Sequence, residues 1–355
     1  MGNLVTLRNK LLKNSTINTT SQMSQSKIFG KSSVVMTPVP IINAALSADV
    51  DGGLQSGVLM LAAPSKHFKT GFMLLMASSF IKKYAEDAII LFYDSEFGST
   101  TSGINSWGLD MDNIVHTPIT CIEEFRHDIM VQLKELNRDD KVIIVVDSVG
   151  NLASLKEITD AEEGSNKADM TRAKVLKSLF RMVTPHLTIK DIPMIVVNHT
   201  YKEQTMYPRD IVSGGTGAYY SSQDIWIIGR NQDKNQTTKE INGYKFNIKI
   251  EKSRSVKEGS IFPVNVMFND GIQKWSGMSD LALELGIISS TKKGYVAPID
   301  QTTGEVLINE AVKESTVEGD DKFWANIMKN TDFKERIRNK YALSDITMIK
   351  DDIFE

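Results

Sequence analysis

The sequence predicts an α/β fold built on a mostly parallel, twisted β-sheet. Apolar runs rich in Val, Ile and Leu alternate with helical patterns between residues 58 and 228. These runs are almost continuously apolar, as expected for strands that helices cover on both faces. The chain has 355 residues, 41% of them hydrophobic and 24% charged, which is enough to bury a large core without disulfides.

The predicted elements alternate in the order that such a sheet requires. Strands are predicted at 58–62, 88–93, 142–146, 194–197 and 225–228, and helices at 4–13, 69–83, 122–136 and 170–185. Alternating polarity predicts two edge strands at 244–251 and 261–268, preceded by a polar hairpin loop over 231–243. We divide the chain into an N-terminal segment (1–33), an α/β core (34–278) and a small C-terminal α/β appendage (279–355).

Composition excludes several classes of protein. The single cysteine, Cys121, excludes a disulfide framework and a Cys-rich zinc site. The longest apolar stretch, 71–81, is bracketed by Lys69 and Lys82 and is too short to span a bilayer. No secretory signal is visible, so we expect an intracellular protein without membrane association.

The two ends of the chain differ in charge. Residues 1–33 contain five basic residues and no acidic one, whereas residues 300–355 contain 13 acidic and 8 basic residues. This polarity predicts head-to-tail self-association or tails that modulate an anionic partner. Two solvated ends, or a transit peptide at the basic Ser/Thr-rich start, are the alternatives.

Residues 59–70 have the layout of a phosphate-binding loop between a strand and a helix. Both glycines of the Walker A pattern are missing, since Ala63 and Phe68 stand in their places. Amides at the helix start would face phosphates, Lys69 would reach the terminal phosphates, and the Thr70 hydroxyl would bind magnesium. An ordinary surface loop is the alternative. The predicted nucleotide contacts are Pro64, Ser65, Lys66, His67, Phe68, Lys69, Thr70 and Gly71.

Two more predicted strands end in carboxylates. Asp147 follows the strand at 142–146, where a Walker B acid belongs, and Glu96 follows the strand at 88–93. Both would lie at the carboxyl edge of the sheet, where open α/β sheets bind ligands. Glu96 would orient or activate a water for attack on a γ-phosphate. Each acid alone also suits a solvated turn, but the ordered combination favours nucleotide binding.

The order of these motifs resembles that of RecA-type recombinases. The matching runs are FYDSEFG at 92–98, VVDSVGNLA at 145–153, VNH at 197–199 and GGTG at 214–217. Within that class, the chain more closely resembles the UvsX recombinases of T-even-like bacteriophages, which carry a P-S-K-x-F-K loop without the second glycine. The resemblance covers residues 30–290. The last 65 residues match loosely, and the longer acidic tail of the family is short or absent.

The resemblance implies an ATP-dependent filament on single-stranded DNA that pairs with a homologous duplex. It implies ATP and Mg²⁺ as cofactors, with Lys69 and Thr70 on phosphates and metal. Asp147 would hold the metal through water, and Glu96 would activate the attacking water. His199 takes the place of the γ-phosphate-sensing glutamine of cellular RecA proteins, and an imidazole can donate the same hydrogen bond. A satisfied strand-end histidine is the alternative.

The resemblance also predicts two long loops facing DNA, near 156–167 and 200–217. Glycine amides approach phosphates closely, basic side chains add a salt-dependent attraction, and aromatic rings stack on bases. A mobile loop without a ligand is the alternative. The predicted DNA contacts are Tyr201, Lys202, Tyr207, Arg209, Gly214, Gly215, Thr216 and Gly217.

Contacts between protomers are implied as well. Lys252 and Arg254 are spaced to project from one face of a strand. In the family, two cations here reach the ATP of the neighbouring protomer and neutralise charge during phosphoryl transfer. A charged edge strand that discourages aggregation is the alternative. The N-terminal segment, with Ile28 and Phe29, is expected to dock on an adjacent protomer.

The family further implies a phage single-strand DNA-binding protein and a recombination mediator as partners, in the cytoplasm of the infected bacterial host. Two other functions stay open. One is a ring-shaped helicase with a RecA core, and the other is a recombinase paralogue that binds ATP for assembly without strand exchange. No adenine-stacking residue is evident, because the family's aromatic position falls near Gly103.

Overall fold

The computed structural model describes residues 2–28, 33–164, 171–203, 205–206, 208, 210–234, 238–291 and 294–343. The helices are α1 (Gly2–Asn14), α2 (Pro40–Ser47), α3 (Lys69–Tyr84), α4 (Thr101–Asn105), α5 (Ile122–Glu135), α6 (Leu155–Glu162), α7 (Thr171–Lys190), α8 (Thr216–Ser221), α9 (Met278–Glu284), α10 (Asp321–Asn330) and α11 (Phe333–Tyr341). None of these described helices has the length and hydropathy needed to cross a membrane.

The strands supply the predicted sheet and two small ones. They are β1 (Gly57–Ala62), β2 (Ala88–Asp94), β3 (Ile114–Pro118), β4 (Lys141–Asp147), β5 (Pro193–Asn198), β6 (Thr200–Lys202), β7 (Asp210–Val212), β8 (Asp224–Lys234), β9 (Ile241–Lys252), β10 (Ile261–Met267), β11 (Gly271–Ile272), β12 (Ile288–Thr291), β13 (Tyr295–Pro298) and β14 (Val312–Lys313).

A nine-stranded sheet forms the centre, in the order β11-β10-β9-β8-β1-β5-β4-β2-β3. The six strands from β8 to β3 run parallel, and β9, β10 and β11 extend the sheet in antiparallel pairs. The predicted mostly parallel α/β sheet is therefore confirmed. The parallel strands end together at one edge, and this edge carries the motifs.

Alternate residues of β1 face different helical layers, because successive side chains of a strand point to opposite faces. Leu59 and Leu61 belong to a core that contains α2 and α3, whereas Met60 and Ala62 belong to a core that contains α5, α7 and α8. Both faces of β1 are buried along its whole length. This double coverage explains the continuous apolar runs in the sequence.

The C-terminal part of the described chain adds to the first of these cores. A three-stranded sheet, β12-β13-β14, and helices α9, α10 and α11 follow the large sheet. Trp324 is fully buried, stacks near Trp275 and Phe333 at centroid distances of 6.0 and 6.3 Å, and donates its indole N–H to the Val317 carbonyl. The apolar side chains of α9–α11 thus pack into the same core as α3.

Several predicted boundaries were wrong. The helix predicted to end at Pro185 continues to Lys190 as α7, because Val183 and Leu187 are fully buried on either side of the proline. The polar segment 231–243 is mostly strand, since β8 runs to Lys234 and β9 begins at Ile241. Helices α2 and α6 and strand β3 were not predicted.

The two predicted loops also contain regular structure. Helix α6 occupies the first part of the predicted loop 156–167, and residues 165–167 of that loop lie outside the described residues. The segment 200–217 is not a structureless loop, because β6 and β7 pair as a short antiparallel hairpin and α8 begins at Thr216. The N-terminal Phe29 also lies outside the described residues.

Candidate nucleotide and DNA site

Lys69 opens α3 directly after the loop that follows β1. Its ammonium is buried and donates hydrogen bonds to the carbonyls of Ala63 (3.0 Å) and Pro64 (2.9 Å). Burial lowers the pKa of Lys69, while the charges of Glu96 and Asp147 raise it. A cation held beside free helix-start amides, with no acidic residue in the first turn of α3, suits a phosphate ligand.

Phe68 explains how the loop closes without the second Walker glycine. Its backbone is left-handed, with φ 59°, a conformation that disfavours a side chain. The ring is packed instead, with centroids 5.3 Å from Phe72 and 5.4 Å from Phe246. A Cβ atom at Gly71 would lie 2.5 Å from that ring, so a glycine is needed one turn later. The phenylalanine and Gly71 therefore form one packing unit.

Asp147 and Thr70 supply oxygen atoms for a cation. Thr70 Oγ1 donates to Asp147 Oδ2 at 2.6 Å, and Asp147 Oδ1 is buried with no hydrogen-bond partner among the described residues. Burial raises the pKa of Asp147 to about 6. The unpartnered oxygen fits Mg²⁺, which takes few protein ligands and keeps waters and phosphate oxygens. In agreement, the described residues contain no cluster of three or more His, Cys, Asp or Glu side chains able to hold a metal alone.

Two hydrogen-bond donors from one segment and an imidazole nitrogen from another meet at one oxygen of Glu96. Its Oε1 lies 2.8 Å from Ser148 Oγ, 3.2 Å from Asn151 Nδ2 and 3.3 Å from His199 Nε2. Its backbone N–H donates to Asp94 Oδ1 at 3.0 Å. The Glu96 side chain is therefore oriented before any nucleotide binds. The sequence placed Glu96 and His199 here, but gave no role to the other two donors.

The same cavity contains Lys69, Thr70, Glu96, Asp147 and His199, and has a volume of about 510 Å³. Its remaining wall is aromatic and was missed by sequence reasoning. That wall consists of Tyr244, Phe246 and Phe268, with Arg230 placed 4.6 Å from the Tyr244 ring centre and donating to the Lys66 carbonyl.

The available signal for this wall was the pair of aromatics on one face of β9. Tyr244 and Phe246 are two residues apart and so share a face of the strand. Phe268, directly after β10, is 62% exposed. These rings supply the flat apolar surface that the vicinity of Gly103 lacks.

Lys252 and Arg254 lie away from this cavity. Lys252 pairs with Ile225, which pairs with Met60, so it is level with the middle of β1 rather than with its carboxyl end. Its ammonium donates to three carbonyls at the end of α8, those of Tyr219, Tyr220 and Ser222.

Arg254 lies further toward the amino end of the parallel strands. It lines a separate cavity with Gly57, the first residue of β1, and with Asp224. Together with the position of Lys252, this places the two predicted cations outside the nucleotide cavity of their own chain.

The predicted DNA contacts divide into three groups. Tyr201 is 55% exposed, and Lys202 pairs with Asp210 at 2.8 Å across the hairpin. Gly214 and Gly215 have φ of 94° and 75°, which only glycine adopts easily. Tyr207 and Arg209 lie outside the described residues.

The end of this segment packs on α7. A Cβ at Gly217 would lie 2.3 Å from Lys177 Cβ, and Thr216 begins α8. The hairpin is joined to the nucleotide cavity through a backbone bond, since Ser213 N–H donates to the His199 carbonyl at 2.9 Å.

Comparisons with known proteins agree with this architecture. The recombination and repair protein of Enterobacteria phage T4 is 43% identical over 342 residues, covering 96% of this chain and 87% of that protein. Protein RecA of Desulfotalea psychrophila is 27% identical over 76% of the chain and 77% of its own length, and protein RecA of Arthrospira platensis is 28% identical over 76% and 74%. A family model for the C-terminal domain of the T4 recombination and repair protein matches residues 275–337.

The parallel sheet and these relatives define a RecA-like protein of the recombinase class. Within it, the chain belongs to the UvsX family of phage recombination and repair proteins.

Proposed function

We propose that this chain is a DNA-dependent ATPase that forms a helical filament on single-stranded DNA and exchanges strands with a homologous duplex. One observation carries the proposal. His199 contacts Glu96 through its side chain and Ser213 of the hairpin segment through its carbonyl. A single residue thus touches both the hydrolytic carboxylate and the segment proposed to hold DNA.

The proposed ATP chemistry follows from the cavity. Lys69 leaves the Ala63 and Pro64 carbonyls for the phosphates, and the base packs against Phe268 and Tyr244. Thr70, and Asp147 through water, would hold Mg²⁺, which would supply neutralising charge for the phosphates. Glu96 takes the proton of the attacking water at Oε2, because Oε1 already accepts hydrogen bonds from Ser148 and Asn151.

The proposed filament uses surfaces that one protomer leaves exposed. Leu4, Leu7 and Leu11 of α1 are 73%, 55% and 63% exposed and recur at helical spacing. We propose that the N-terminal segment 1–33 of one protomer docks on the core, residues 34–278, of the next protomer. Residues 279–355 then form a small C-terminal domain. Lys252 and Arg254 then reach the ATP of an adjacent protomer.

The proposed partners are single-stranded DNA, a homologous duplex, a phage single-strand DNA-binding protein and a recombination mediator. The predicted DNA contacts from Tyr201 to Gly217 and the segment 156–167 face the DNA in this arrangement. The protein would act in the cytoplasm of the infected bacterium.

Joint-molecule formation tests the proposal. Purified protein, ATP, Mg²⁺ and a labelled single strand are mixed with a homologous or a heterologous supercoiled duplex. We expect joints only with the homologous duplex and only with ATP. Lys69→Ala should reduce ATP turnover by at least about 10³-fold and abolish joints, since the cation on the phosphates is lost.

Lys82→Ala is the matched control, because Lys82 is exposed in the last turn of the same helix. Normal ATP turnover without homologous joints would favour the helicase reading, and ATP binding without turnover would favour the non-catalytic paralogue. Unchanged turnover in Lys69→Ala would refute the assignment of the phosphate site.

A further inference from the structure

The four-residue segment 149–152, which we call the clamp loop, receives three hydrogen bonds from one guanidinium group, in addition to the bond from Val149 N–H to the Val197 carbonyl. Arg172, the second residue of α7, donates through Nε to the Leu152 carbonyl at 2.8 Å. It also donates through Nη2 to the carbonyls of Val149 (3.0 Å) and Gly150 (2.9 Å). Three of the four clamp-loop carbonyls therefore share a single donor group.

The fourth clamp-loop residue is the one that reaches the hydrolytic site. Asn151 donates through Nδ2 to Glu96 Oε1 at 3.2 Å, beside Ser148, which directly precedes the loop. The Asn151 side chain is short, so its amide can meet Glu96 only while the loop backbone stays in place. The position of the Glu96 carboxylate thus depends on the loop that Arg172 fixes.

The clamp loop also bounds the position of His199. A Cβ atom at Gly150 would lie 2.3 Å from His199 Cδ2. Since His199 Nε2 lies 3.3 Å from Glu96 Oε1, the clamp loop affects that carboxylate by one direct and one indirect route. Both routes end at the same oxygen.

We propose that Arg172 is a positioning residue for ATP hydrolysis, acting through the clamp loop and Asn151 on Glu96. The inference rests on the proposed ATPase function. A catalytic group displaced by about 1 Å loses on the order of 10²-fold in rate, and a supporting residue controls displacements of this size. Among the described residues that line the nucleotide cavity Arg172 is not found, so nucleotide affinity should not depend on it.

Steady-state ATPase assays with saturating single-stranded DNA test this role. We expect Arg172→Gln to lower kcat about tenfold while KM for ATP stays within about twofold, since only orientation in the transition state is lost. Arg172→Lys should recover part of the rate, because an ammonium still donates to carbonyls but lacks the guanidinium geometry. Asn151→Ala should lower kcat about threefold to tenfold.

A double-mutant cycle separates positioning from general damage. Combining Arg172→Gln with Asn151→Ala should cost little more than Arg172→Gln alone, since the loss of Arg172 already disturbs the contact that Asn151 makes. Arg126→Gln on α5 is the control, because Arg126 has no hydrogen bond or ion pair to a residue that the structure describes. Single-strand affinity is measured by fluorescence anisotropy for every variant and should stay within about twofold of the parent.

Multiplicative losses in the double variant, or a kcat of Arg172→Gln within twofold of the parent, would overturn the inference. A parallel loss of single-strand affinity would overturn it too, because Arg172 would then act on DNA. Absence of ATP turnover in the parent protein would instead refute the proposed function itself, so the two failures are distinguishable.

Discussion

The buried carboxyl groups at the two ends of the parallel strands differ in their hydrogen-bond partners. Asp147 at the carboxyl end is buried with one oxygen unpartnered among the described residues. Asp224, toward the amino end, accepts a hydrogen bond from Ser253 at 2.6 Å, with the charges of Arg254 and Lys252 nearby. Burial raises the pKa of both carboxyl groups.

We call the carboxyl end of the parallel strands the receptive end, because the ionised Asp147 side chain there has an oxygen atom whose charge a bound cation can neutralise. At the amino end, Asp224 has its hydrogen-bond partner among the described residues. Lys252, level with the middle of β1, would have to leave the carbonyls of Tyr219, Tyr220 and Ser222 before it could reach another protomer.

Mixing two inactive variants tests whether the two ends work together across protomers. Glu96→Ala lacks the hydrolytic carboxylate, and Arg254→Ala lacks a cation offered to a neighbour. In an equimolar mixture, random head-to-tail assembly should give about a quarter of the sites both groups, and about a quarter of the parent ATPase rate.

The matched control mixes Glu96→Ala with the double variant Glu96→Ala/Arg254→Ala. This mixture should stay inactive, since no protomer carries Glu96. No recovery in the first mixture at any ratio would show that Arg254 does not act in trans.

Replacing Asp147 probes the receptive end directly. Because the pKa of Asp147 is raised to about 6, the folded protein holds a proton that the unfolded chain releases between about pH 4 and pH 6. The stability contributed by that proton is therefore lost as pH rises through this window. Above it, the ionised carboxylate costs on the order of 2–3 kcal/mol.

We expect Asp147→Asn, without metal or nucleotide, to melt above the parent at pH 7.5 and to lose this advantage toward pH 4.5. Thermal melts in a chelator measure the difference, and exposed Asp139→Asn is the control. Adding Mg²⁺ with ADP should stabilise the parent more than the variant. A difference in melting temperature that does not change with pH would contradict the raised pKa of the buried Asp147 carboxyl group.

The smallest expected effect is on the stability of variants at Phe68, the residue directly before α3. At Phe68, where φ is 59°, Phe68→Gly should be more stable than Phe68→Ala by about 0.5–1 kcal/mol, because glycine adopts this conformation freely. Phe72, inside α3, is the matched control: there the alanine variant should be more stable by about 1 kcal/mol. Melting temperatures of the four variants give the two orders. The same order at both positions would exclude backbone strain at Phe68.

The sequence sufficed for the sheet and for bringing the candidate-site residues to one edge of it, because both depend on strong local signals. Continuous apolar runs predicted the buried parallel strands. Acids that directly follow those runs, such as Asp147, were predictable because the carboxyl ends of parallel strands share one edge. Lys69 and Thr70 were found for the same reason, from their position at the start of a helix.

Other features depend on contacts between residues that are far apart in the sequence, which local patterns do not reveal. The hairpin of β6 and β7 pairs only three residues on each side, which is too short for a polarity pattern. Helix α7 passes Pro185 because its buried apolar side chains outweigh a cost of about 3 kcal/mol. The contact of Asn151 with Glu96 links residues 55 positions apart, and no spacing rule predicts it.

Lys69 and Arg254 belong to opposite ends of the same strands, which sets the way protomers can meet. A twofold pair would have to bring both ends of each sheet into one interface, whereas a head-to-tail row needs one end from each neighbour. Such a row has one fewer junction than it has protomers. In the proposed filament, one terminal member has an unused pair of cations and the other has an incomplete site. The proposed row therefore has a direction, and we expect short rows to turn over less ATP per protomer than long ones.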